Sequence, residues 1–342
     1  MNNGGAVKVA INGFGRIGRL VLRGIIETGR TDLVPVTING PGDIETKAHM
    51  FRYDSVHGRF PGTVTVSGET ITITHNGRTY GPITMQSDRD PAKLDFRGID
   101  VVLECTGSFT KKEAAMPLIT EAGARKVIIS APGDGVDATI VVGVNDEKLT
   151  PDMTVISSAS CTTNCLAPMV KVLHDNFRIL RGYMMTIHAY TGDQRLLDAN
   201  HRDMRRARAA GMSAIPTSTG AARAIGLVMP ELKGKLDGTS IRIPLPNVSM
   251  VSLDVNLEKP ATVAEINAAM LAASQGRMKG VLDYNTESLV SIDFNHSPAS
   301  CTFDATQTAV VDGSLARVMG WYDNEWGFSL RMLDLAAMMG PR

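Results

Sequence analysis

The glycine-rich segment near the start of the chain constrains the fold more than any other feature. Residues 6–11 alternate apolar side chains as a short strand does, and they lead directly into Asn12-Gly-Phe-Gly-Arg-Ile-Gly-Arg19. An apolar-periodic helix pattern follows. A G-x-G-x-x-G turn between a strand and a helix is typical of a dinucleotide-binding domain. Gly13 permits the tight turn, Gly15 lets the backbone approach a pyrophosphate, and Gly18 lets helix and strand pack closely.

The end of the second predicted strand, residues 33–38, bears on which dinucleotide binds. In this kind of fold an acidic residue near that point holds the adenosine ribose hydroxyls. Here Gly40 occupies the position where Asp or Glu would repel a 2′-phosphate. Asp43 lies beyond a Pro-Gly turn, and its direction is not readable from the sequence. The pattern therefore removes the main electrostatic objection to NADP.

The remaining pattern predicts two domains. Strands alternate with helices over residues 1–160, which predicts an α/β domain with a Rossmann-type, doubly wound parallel sheet. Within it we expect a hairpin at residues 62–83 and a short strand at residues 139–142. Residues 161–326 carry longer strands, including one expected at residues 288–294, and few helices, which predicts an α+β catalytic domain with a mainly antiparallel sheet. An amphipathic helix over residues 327–342 is expected to pack back on the first domain.

Composition is typical of an ordinary soluble enzyme. Lys plus Arg and Asp plus Glu each number 35, so neither nucleic acid nor a membrane surface is expected as a partner. No apolar run approaches the ~18 residues of a membrane span, and the residues before the first strand leave no room for a signal peptide. Four cysteines in 342 residues are too few for a disulfide framework, and no second ligand pair completes a metal site. A reducing cytoplasm is the expected location.

Cys161 and His188 are the leading catalytic candidates. Cys161 stands between an apolar strand pattern and a helix pattern, in Ser160-Cys-Thr-Thr-Asn-Cys165, and His188 ends another apolar run. A cysteine at the start of a helix meets the positive end of the helix dipole, which favours the thiolate. A histidine within reach could form an ion pair with that thiolate and later move protons. The alternative is a buried structural cysteine and an unrelated core histidine.

Seven sequence blocks carry a family resemblance that runs nearly end to end. They are Asn12-Gly-Phe-Gly-Arg-Ile-Gly-Arg19, Tyr53-Asp-Ser-Val-His-Gly58, Ser160-Cys-Thr-Thr-Asn-Cys165, His188-Ala-Tyr-Thr191, Pro216-Thr-Ser-Thr-Gly-Ala-Ala222, Pro244-Leu-Pro-Asn-Val-Ser249 and Trp321-Tyr-Asp-Asn-Glu325. In this order they resemble phosphorylating glyceraldehyde-3-phosphate dehydrogenases. The resemblance implies an oxidoreductase that uses glyceraldehyde 3-phosphate and inorganic phosphate, and it implies a homotetramer.

The resemblance also implies a role for each matching residue. The Cys161 thiolate would attack the aldehyde, and His188 would accept the hydroxyl proton as hydride leaves for the nicotinamide, so that a thioester forms for phosphate to attack. Thr191 and Arg242 match the site for the substrate phosphate, and Ser160, Thr162, Thr219 and Gly220 match the site for inorganic phosphate. The cofactor residues that match are Asn12, Gly13, Phe14, Gly15, Arg16, Ile17 and Asn324.

Three positions relative to the family bear on the choice between NAD and NADP. NAD-specific members have Asp where this chain has Gly40, and they commonly have Leu-Pro where it has Ala199-Asn200. Arg89 resembles a residue placed to meet a 2′-phosphate. We therefore expect the chain to use both NAD and NADP.

Other interpretations of these residues remain open. Ser160, Thr191 and Thr219 could be turn or cap residues, which Ser and Thr favour, and Arg242 could form a surface or interface pair. The arginine-rich run at residues 202–208 is expected at a subunit interface and cofactor rim rather than on nucleic acid. Rival functions are erythrose-4-phosphate dehydrogenase, aspartate-semialdehyde dehydrogenase, and a binding paralogue without turnover. The first lacks the Ser-Thr-Gly loop present at residues 218–220.

Overall fold

The strand before the glycine-rich turn lies in the middle of a nine-stranded sheet in the computed structural model, which describes residues 5–341. The strands of this part of the chain are β1 Val7–Asn12, β2 Leu33–Asn39, β3 Tyr53–Asp54, β4 Gly58–Arg59, β5 Thr63–Ser67, β6 Thr70–His75, β7 Arg78–Gln86, β8 Val101–Glu104, β9 Lys126–Ile129, β10 Ala138–Thr139 and β11 Val155–Ser157. The helices are α1 Arg16–Glu27, α2 Ile44–Arg52, α3 Lys112–Ala115 and α4 Pro117–Thr120. Strands β3 and β4 form a separate two-stranded ribbon.

The order of the strands opens a crevice beside β1. The sheet runs β10-β11-β9-β8-β1-β2-β7-β6-β5, and every pair from β10 through β7 is parallel. The chain winds outward from β1 in both directions, so the loops after β1 and β8 leave the sheet on opposite sides. The predicted Rossmann-type, doubly wound sheet is confirmed.

Two local predictions in this part of the chain were wrong in extent. The expected hairpin at residues 62–83 is a three-stranded meander, because β6 pairs antiparallel with both β5 and β7. The strand expected at residues 139–142 ends at Thr139. There the Asn145 side chain accepts the Val141 N–H at 2.8 Å and closes a turn in place of a sheet ladder.

The contacts divide the chain into two compact units. The first comprises residues up to Ile140, Glu147–Ala159 and residues from Ser329 onward, and the second comprises Val141–Asp146 and Ser160–Phe328. The short segment 141–146 therefore belongs to the second unit, although it falls within the first predicted domain of residues 1–160.

The second unit is built on an eight-stranded sheet. Its strands are β12 Ile179–Ala189, β13 Ile215–Ser218, β14 Leu236–Ile243, β15 Ser249–Leu257, β16 Leu282–Asn285, β17 Cys301–Asp304, β18 Ala309–Val311 and β19 Leu315–Tyr322. The order is β13-β14-β12-β15-β19-β17-β16, with β18 beside β19. Only the β12–β14 and β16–β17 pairs are parallel, which confirms the predicted mainly antiparallel sheet.

Helix α5 Cys161–Phe177 is buried against this sheet, together with α6 Ala221–Val228 and α7 Val263–Gln275. It begins at Cys161, the residue expected at a helix start. The strand expected at residues 288–294 was wrong, because Ser291–Phe294 is a 3₁₀ turn. Of its apolar residues, Phe294 is buried while Val290 and Ile292 are exposed, so the segment has no buried face to offer a sheet.

The final helix is α8 Trp326–Met339, and its residues from Ser329 onward belong to the first unit. Leu330 and Leu333 pack against α1 at Gly24, where a Cβ atom would lie 2.9 Å from each side chain. The absence of a side chain at Gly24 thus permits close packing between α1 and α8. Among the helices described over residues 5–341, none has both the length and the apolar character needed to cross a lipid bilayer.

Candidate active site

A cleft of about 590 Å³ lies at the carboxyl ends of the first unit's strands. The loops that follow β1, β2, β7 and β8 supply its lining. The lining residues are Asn12, Gly13, Phe14, Gly15, Asn39, Gly40, Pro41, Asp88, Arg89, Cys105, Thr106, Ser108 and Phe109. A crevice at this point of a doubly wound sheet is where such folds bind nucleotides.

The glycine turn fits a dinucleotide in its backbone geometry. Gly13 has φ +100°, and a Cβ atom there would lie 2.6 Å from the Thr106 nitrogen, so only glycine is tolerated. A Cβ atom on Gly15 would meet nothing within 4 Å, which leaves open space for a ligand at the N-cap of α1. The N–H groups at the start of an α-helix point along its axis, so the first turn of α1 can bind a pyrophosphate.

Two other predicted residues of this turn, Arg16 and Phe14, make side-chain contacts with neighbouring elements. The Arg16 guanidinium binds Asp54 at 2.6 and 3.1 Å, which fixes its side chain to the β3–β4 ribbon. Phe14 stacks on Phe51 with ring centroids 6.3 Å apart. These contacts hold the turn against α2 and the β3–β4 ribbon.

A buried network of amides and one carboxyl forms the floor of the cleft. Asn39 donates to the Asn12 side-chain oxygen at 2.7 Å, and Asn12 donates to Glu104 at 2.5 Å. The Thr106 hydroxyl and N–H also donate to Glu104. Burial raises the pKa of Glu104 to about 7, against the opposing effect of these three donors.

Gly40 and Arg89 both line this cleft. Gly40 is buried against Phe14, and a Cβ atom at position 40 would lie 2.9 Å from the Phe14 Cβ. Arg89 is exposed at the rim. Asn200 lies in the second unit, in the loop between β12 and β13, where its carbonyl accepts the Arg195 guanidinium at 2.9 Å.

In the second unit, Cys161 is the first residue of α5. Ser160 is the N-cap, and its hydroxyl oxygen accepts the Thr163 N–H at 3.1 Å. This satisfies one of the orphan donors of the first turn and fixes the start of the helix. The cap interpretation of Ser160 is thus observed, and its hydroxyl also lies 2.8 Å from that of Thr163.

His188 lies next to Cys161 near the end of β12. The Cys161 Sγ and His188 Nε2 atoms are 3.6 Å apart. The Nδ1 atom lies 2.6 Å from the Ala189 carbonyl oxygen, which can only accept, so Nδ1 carries the hydrogen and Nε2 is left to accept a proton from the thiol. The structure therefore presents a nucleophile and a base in contact, with the base held in one tautomer.

The surroundings of this pair disfavour the charged form of each partner. Burial and the nearby Arg242 guanidinium lower the pKa of His188 to about 3, so the imidazole is neutral. Burial also raises the pKa of the Cys161 thiol, opposed by Arg242 and by the Thr162 hydroxyl and N–H. Both shifts act against the expected ion pair, because burial disfavours a charge on either group.

The Arg242 guanidinium lies beside this pair. It is the register partner of His188 across β12 and β14. Its Nη1 donates to the Ala189 carbonyl at 3.1 Å and to the Thr191 hydroxyl at 3.2 Å, while its buried Nε has no partner within residues 5–341. A partly buried guanidinium without a carboxylate pair is suited to binding a phosphate.

A second guanidinium was missed in the sequence analysis. Arg206, within the arginine-rich run, donates to Asp193 at 2.8 Å, to the Thr217 hydroxyl at 2.9 Å and to the Ser218 carbonyl at 3.3 Å. It lowers the pKa values of both His188 and Arg242, so the two guanidinium groups share one region. The sequence signal was obscured because four arginines lie close together there and the pattern does not show which one turns inward.

The loop that precedes α6 carries the remaining predicted anion residues. Thr219 accepts the Ala221 N–H at 3.2 Å through its hydroxyl oxygen, and Gly220 is the N-cap of α6. The hydroxyl hydrogen of Thr219 and the orphan N–H groups of the first turn can still donate to an anion. Helix α6 contacts α5, which begins at Cys161.

Asn324 is fixed by two buried hydrogen bonds in series. The Ser249 hydroxyl donates to the Asn324 side-chain oxygen at 2.9 Å and accepts the Ala189 N–H at 3.0 Å. The His188 ring bonds the carbonyl oxygen of the same residue, Ala189. The backbone of Ala189 therefore orients both His188 and, through Ser249, Asn324. Ser249 and Tyr322, which contacts Thr162, were not identified from the sequence.

No group of three His, Cys, Asp or Glu side chains that could hold a metal ion occurs within the described residues 5–341. The four cysteines are free thiols.

Comparison with known proteins places this geometry in a family. A family model described as the glyceraldehyde 3-phosphate dehydrogenase NAD-binding domain matches residues 7–112, and the model of the C-terminal domain matches residues 160–324. The glyceraldehyde-3-phosphate dehydrogenase of Xanthobacter flavus is 58% identical over 337 residues, covering 98% of this chain and 99% of the relative. The enzyme of Geobacillus stearothermophilus is 53% identical over 340 residues, with 98% and 99% covered. The chain belongs to the glyceraldehyde-3-phosphate dehydrogenase family.

Proposed function

We propose that the chain oxidises glyceraldehyde 3-phosphate to 1,3-bisphosphoglycerate with inorganic phosphate and a nicotinamide dinucleotide. The observation that carries this proposal is the Cys161–His188 contact of 3.6 Å at the start of α5, with Arg242 in register beside it. A nucleophile, a base of fixed tautomer and an anion-binding guanidinium together suit a phosphorylated aldehyde.

The first step uses the thiol and the imidazole. Cys161 Sγ forms a bond to the aldehyde carbon while Nε2 of His188 takes the thiol proton. His188 then returns that proton to the former carbonyl oxygen, which gives a neutral thiohemiacetal on Cys161. A neutral imidazole is the correct starting state for a base, which is consistent with the low pKa of His188.

The second step turns the thiohemiacetal into a thioester. The dinucleotide, when bound, supplies the oxidised nicotinamide that accepts hydride. His188 takes the hydroxyl proton as the C–H bond breaks, so the carbonyl of a Cys161 thioester forms. An oxygen of inorganic phosphate then bonds to that carbonyl carbon, the C–S bond breaks, and the Cys161 thiolate leaves with the proton of His188 available to it.

The anion sites divide between the two phosphates. We assign Arg242 and Thr191 to the phosphate of the substrate, as the sequence resemblance implies. Arg206, Thr219, Gly220 and the N-terminus of α5 at Ser160 and Thr162 are assigned to inorganic phosphate. The second site combines one guanidinium, already bonded to Asp193, with hydroxyl and N–H donors, and such donors suit a phosphate that must enter and leave in each cycle.

We infer that NADP is accepted as well as NAD. Support comes from Gly40, which leaves no carboxylate against a 2′-phosphate, and from Arg89, a cation at the rim of the cleft. The alternative is that the cleft takes NAD alone and that Gly40 only permits packing against Phe14.

Two variants at one position separate charge from packing. Because a Cβ atom at position 40 meets Phe14, Gly40→Ala measures the steric cost alone, and we expect it to lower kcat/KM for both dinucleotides by similar factors. Gly40→Asp adds a carboxylate, and we expect a further loss of about tenfold or more for NADP only, since one charge repulsion of ~1.4 kcal/mol gives that factor. Equal losses for NAD and NADP in Gly40→Asp would contradict the electrostatic argument.

We also propose that the chain forms homotetramers in the cytoplasm. Apolar side chains are exposed on β12, at Leu180, Tyr183 and Met185, and on the loop before β13, at Leu196 and Met204. Exposed apolar clusters of this kind mark protein contacts, and a second copy is the occupant proposed here. A reducing compartment would keep the catalytic thiol free. Native mass spectrometry tests the stoichiometry, and a monomer at micromolar concentration would count against it.

The decisive test is the initial rate of reduced-nicotinamide formation from glyceraldehyde 3-phosphate and phosphate, run in parallel with NAD and NADP. Turnover with both supports the whole proposal, and an NADP efficiency below ~1% of that with NAD, a gap of ~2.7 kcal/mol, rejects dual use. Faster turnover of erythrose 4-phosphate would favour that rival. No turnover with either aldehyde would reject the assignment of Cys161 and His188.

A further inference from the structure

Three buried hydroxyl groups run from Thr162, the residue after the catalytic cysteine, to strands β12 and β15 of the second unit's sheet. The Tyr322 hydroxyl lies 2.9 Å from the Thr162 hydroxyl and 2.9 Å from the Thr186 hydroxyl. Thr186 in turn donates to the Met250 carbonyl at 3.1 Å. Thr162, Tyr322 and Thr186 are 5%, 2% and 1% exposed, so bulk water does not compete for these bonds.

The direction of this chain follows from the number of hydrogens. Each hydroxyl has one hydrogen to donate. Since Thr186 donates to Met250, its oxygen must accept from Tyr322, and Tyr322 must accept from Thr162. This is the arrangement for a neutral thiol, in which the Thr162 hydrogen points away from Cys161.

The same three groups can also point the opposite way. The Thr162 hydroxyl and N–H face the sulfur of Cys161, where both favour the thiolate. If Thr162 donates to the sulfur, Tyr322 can donate to Thr162 and Thr186 can donate to Tyr322. The change requires only the rotation of three hydroxyl groups, and no proton is transferred from one oxygen to another.

We propose that Tyr322 is a positioning residue that turns the Thr162 hydroxyl toward Cys161 as the thiolate forms, through a reversible chain of hydroxyl groups. This deepens the proposed function, since it concerns the same thiol. A chain of hydrogen bonds that ends at a charge is polarised along its length, so each donor behind Thr162 strengthens the bond to sulfur. The thiolate appears at attack and again when phosphate displaces the thioester.

Other groups that face the thiol do not depend on the Tyr322 hydroxyl. Arg242 on β14, His188 on β12 and Cys165 on α5 all lie near Cys161 or Tyr322. The Tyr322 ring meets the His188 imidazole edge to face, with centroids 5.9 Å apart, and phenylalanine would keep that contact. A change in thiol reactivity in Tyr322→Phe therefore reports on the hydroxyl chain and not on the histidine.

The test measures how fast iodoacetamide alkylates Cys161 as a function of pH, with the modified peptide identified by mass spectrometry. Relative to the wild type, we expect the apparent pKa of alkylation in Tyr322→Phe to rise by about one unit. At a pH below both pKa values, the variant would then contain about tenfold less thiolate and would react about tenfold more slowly. Thr186→Val should shift it in the same direction by less, and Thr186→Ser, which keeps the hydroxyl, should restore the wild-type profile. Tyr284→Phe removes a hydroxyl elsewhere on the same sheet and serves as the control.

The outcomes separate this inference from the proposed function. Alkylation needs no aldehyde, phosphate or dinucleotide, so its pH profile tests the chain even in an enzyme with another substrate. Wild-type profiles in both Tyr322→Phe and Thr186→Val would overturn the inference. Equal shifts in Thr186→Val and Thr186→Ser would also overturn it, because they would indicate packing and not hydrogen bonding. If Tyr322→Phe fails to fold, the Thr186 pair decides the question alone.

Discussion

Replacement of Cys161 by serine is expected to lower turnover by at least ~10⁴-fold while leaving the fold and dinucleotide binding in place. The serine hydroxyl has the wrong acidity for this site, because the burial that already raises the pKa of the thiol would keep an alcohol fully protonated. The cleft lined by the glycine turn belongs to the first unit and does not include Cys161. Turnover is measured with glyceraldehyde 3-phosphate, and binding by calorimetry with the dinucleotide.

Cys301→Ala is the matched control for this prediction. Cys301 is a free, fully buried thiol in the same unit, and its loss should cost about 1 kcal/mol of stability without a comparable loss of rate. A Cys161→Ser enzyme that kept more than a small fraction of the wild-type rate would mean that Cys161 is not the nucleophile. A variant that lost dinucleotide binding as well would indicate a folding defect and would require Cys161→Ala as a replacement.

Replacement of His188 by asparagine is expected to lower kcat/KM by about 10³-fold at neutral pH, within the range for loss of a general base. The folded-state pKa of His188 is about 3, so the wild-type imidazole is already neutral above about pH 4 and stays available as a base as pH rises further. Without it, hydroxide must remove the thiol proton. The deficit of His188→Asn should therefore shrink steadily as pH rises toward the pKa of the thiol.

The pH–rate profile of His188→Asn carries the test, with His174→Asn as control. His174 is a second buried histidine of the unit, whose Nδ1 accepts the Ile179 N–H at 3.1 Å. Its loss should cost about 1–3 kcal/mol of stability but should leave the shape of the profile unchanged. A deficit for His188→Asn that is constant at every pH would point to a positioning role instead of proton transfer.

Local sequence signals predicted the framework of both units well. The glycine turn and the cap at Ser160 each depend on residues adjacent in the chain, so their geometry follows from backbone chemistry alone. The position of Cys161 at a helix start was readable for the same reason. The failed strand at residues 288–294 shows the limit, because an alternating apolar pattern forms a strand only when a neighbouring strand and a buried face are available.

The parts of the site that the sequence did not reveal depend on contacts between distant segments. Tyr322 meets Thr162 across 160 residues, and Ser249 meets Asn324 across 75. No local pattern distinguishes such residues from ordinary strand positions. The pKa shifts of Cys161 and His188 could not be predicted from the sequence either. The helix dipole, which favours the thiolate, follows from the position of Cys161 at a helix start. The burial that opposes it is determined only by the folded structure.

The pairing of β12 with β14 limits how this chain can change in length during evolution. His188 and Arg242 are register partners on parallel strands, so their side chains leave the same face of the sheet. A single inserted residue in either strand would turn one of them to the opposite face. Insertions and deletions of a single residue are therefore excluded from the two strands themselves. The spacing of the two strands' residues therefore keeps the imidazole and the guanidinium on one face of the sheet together.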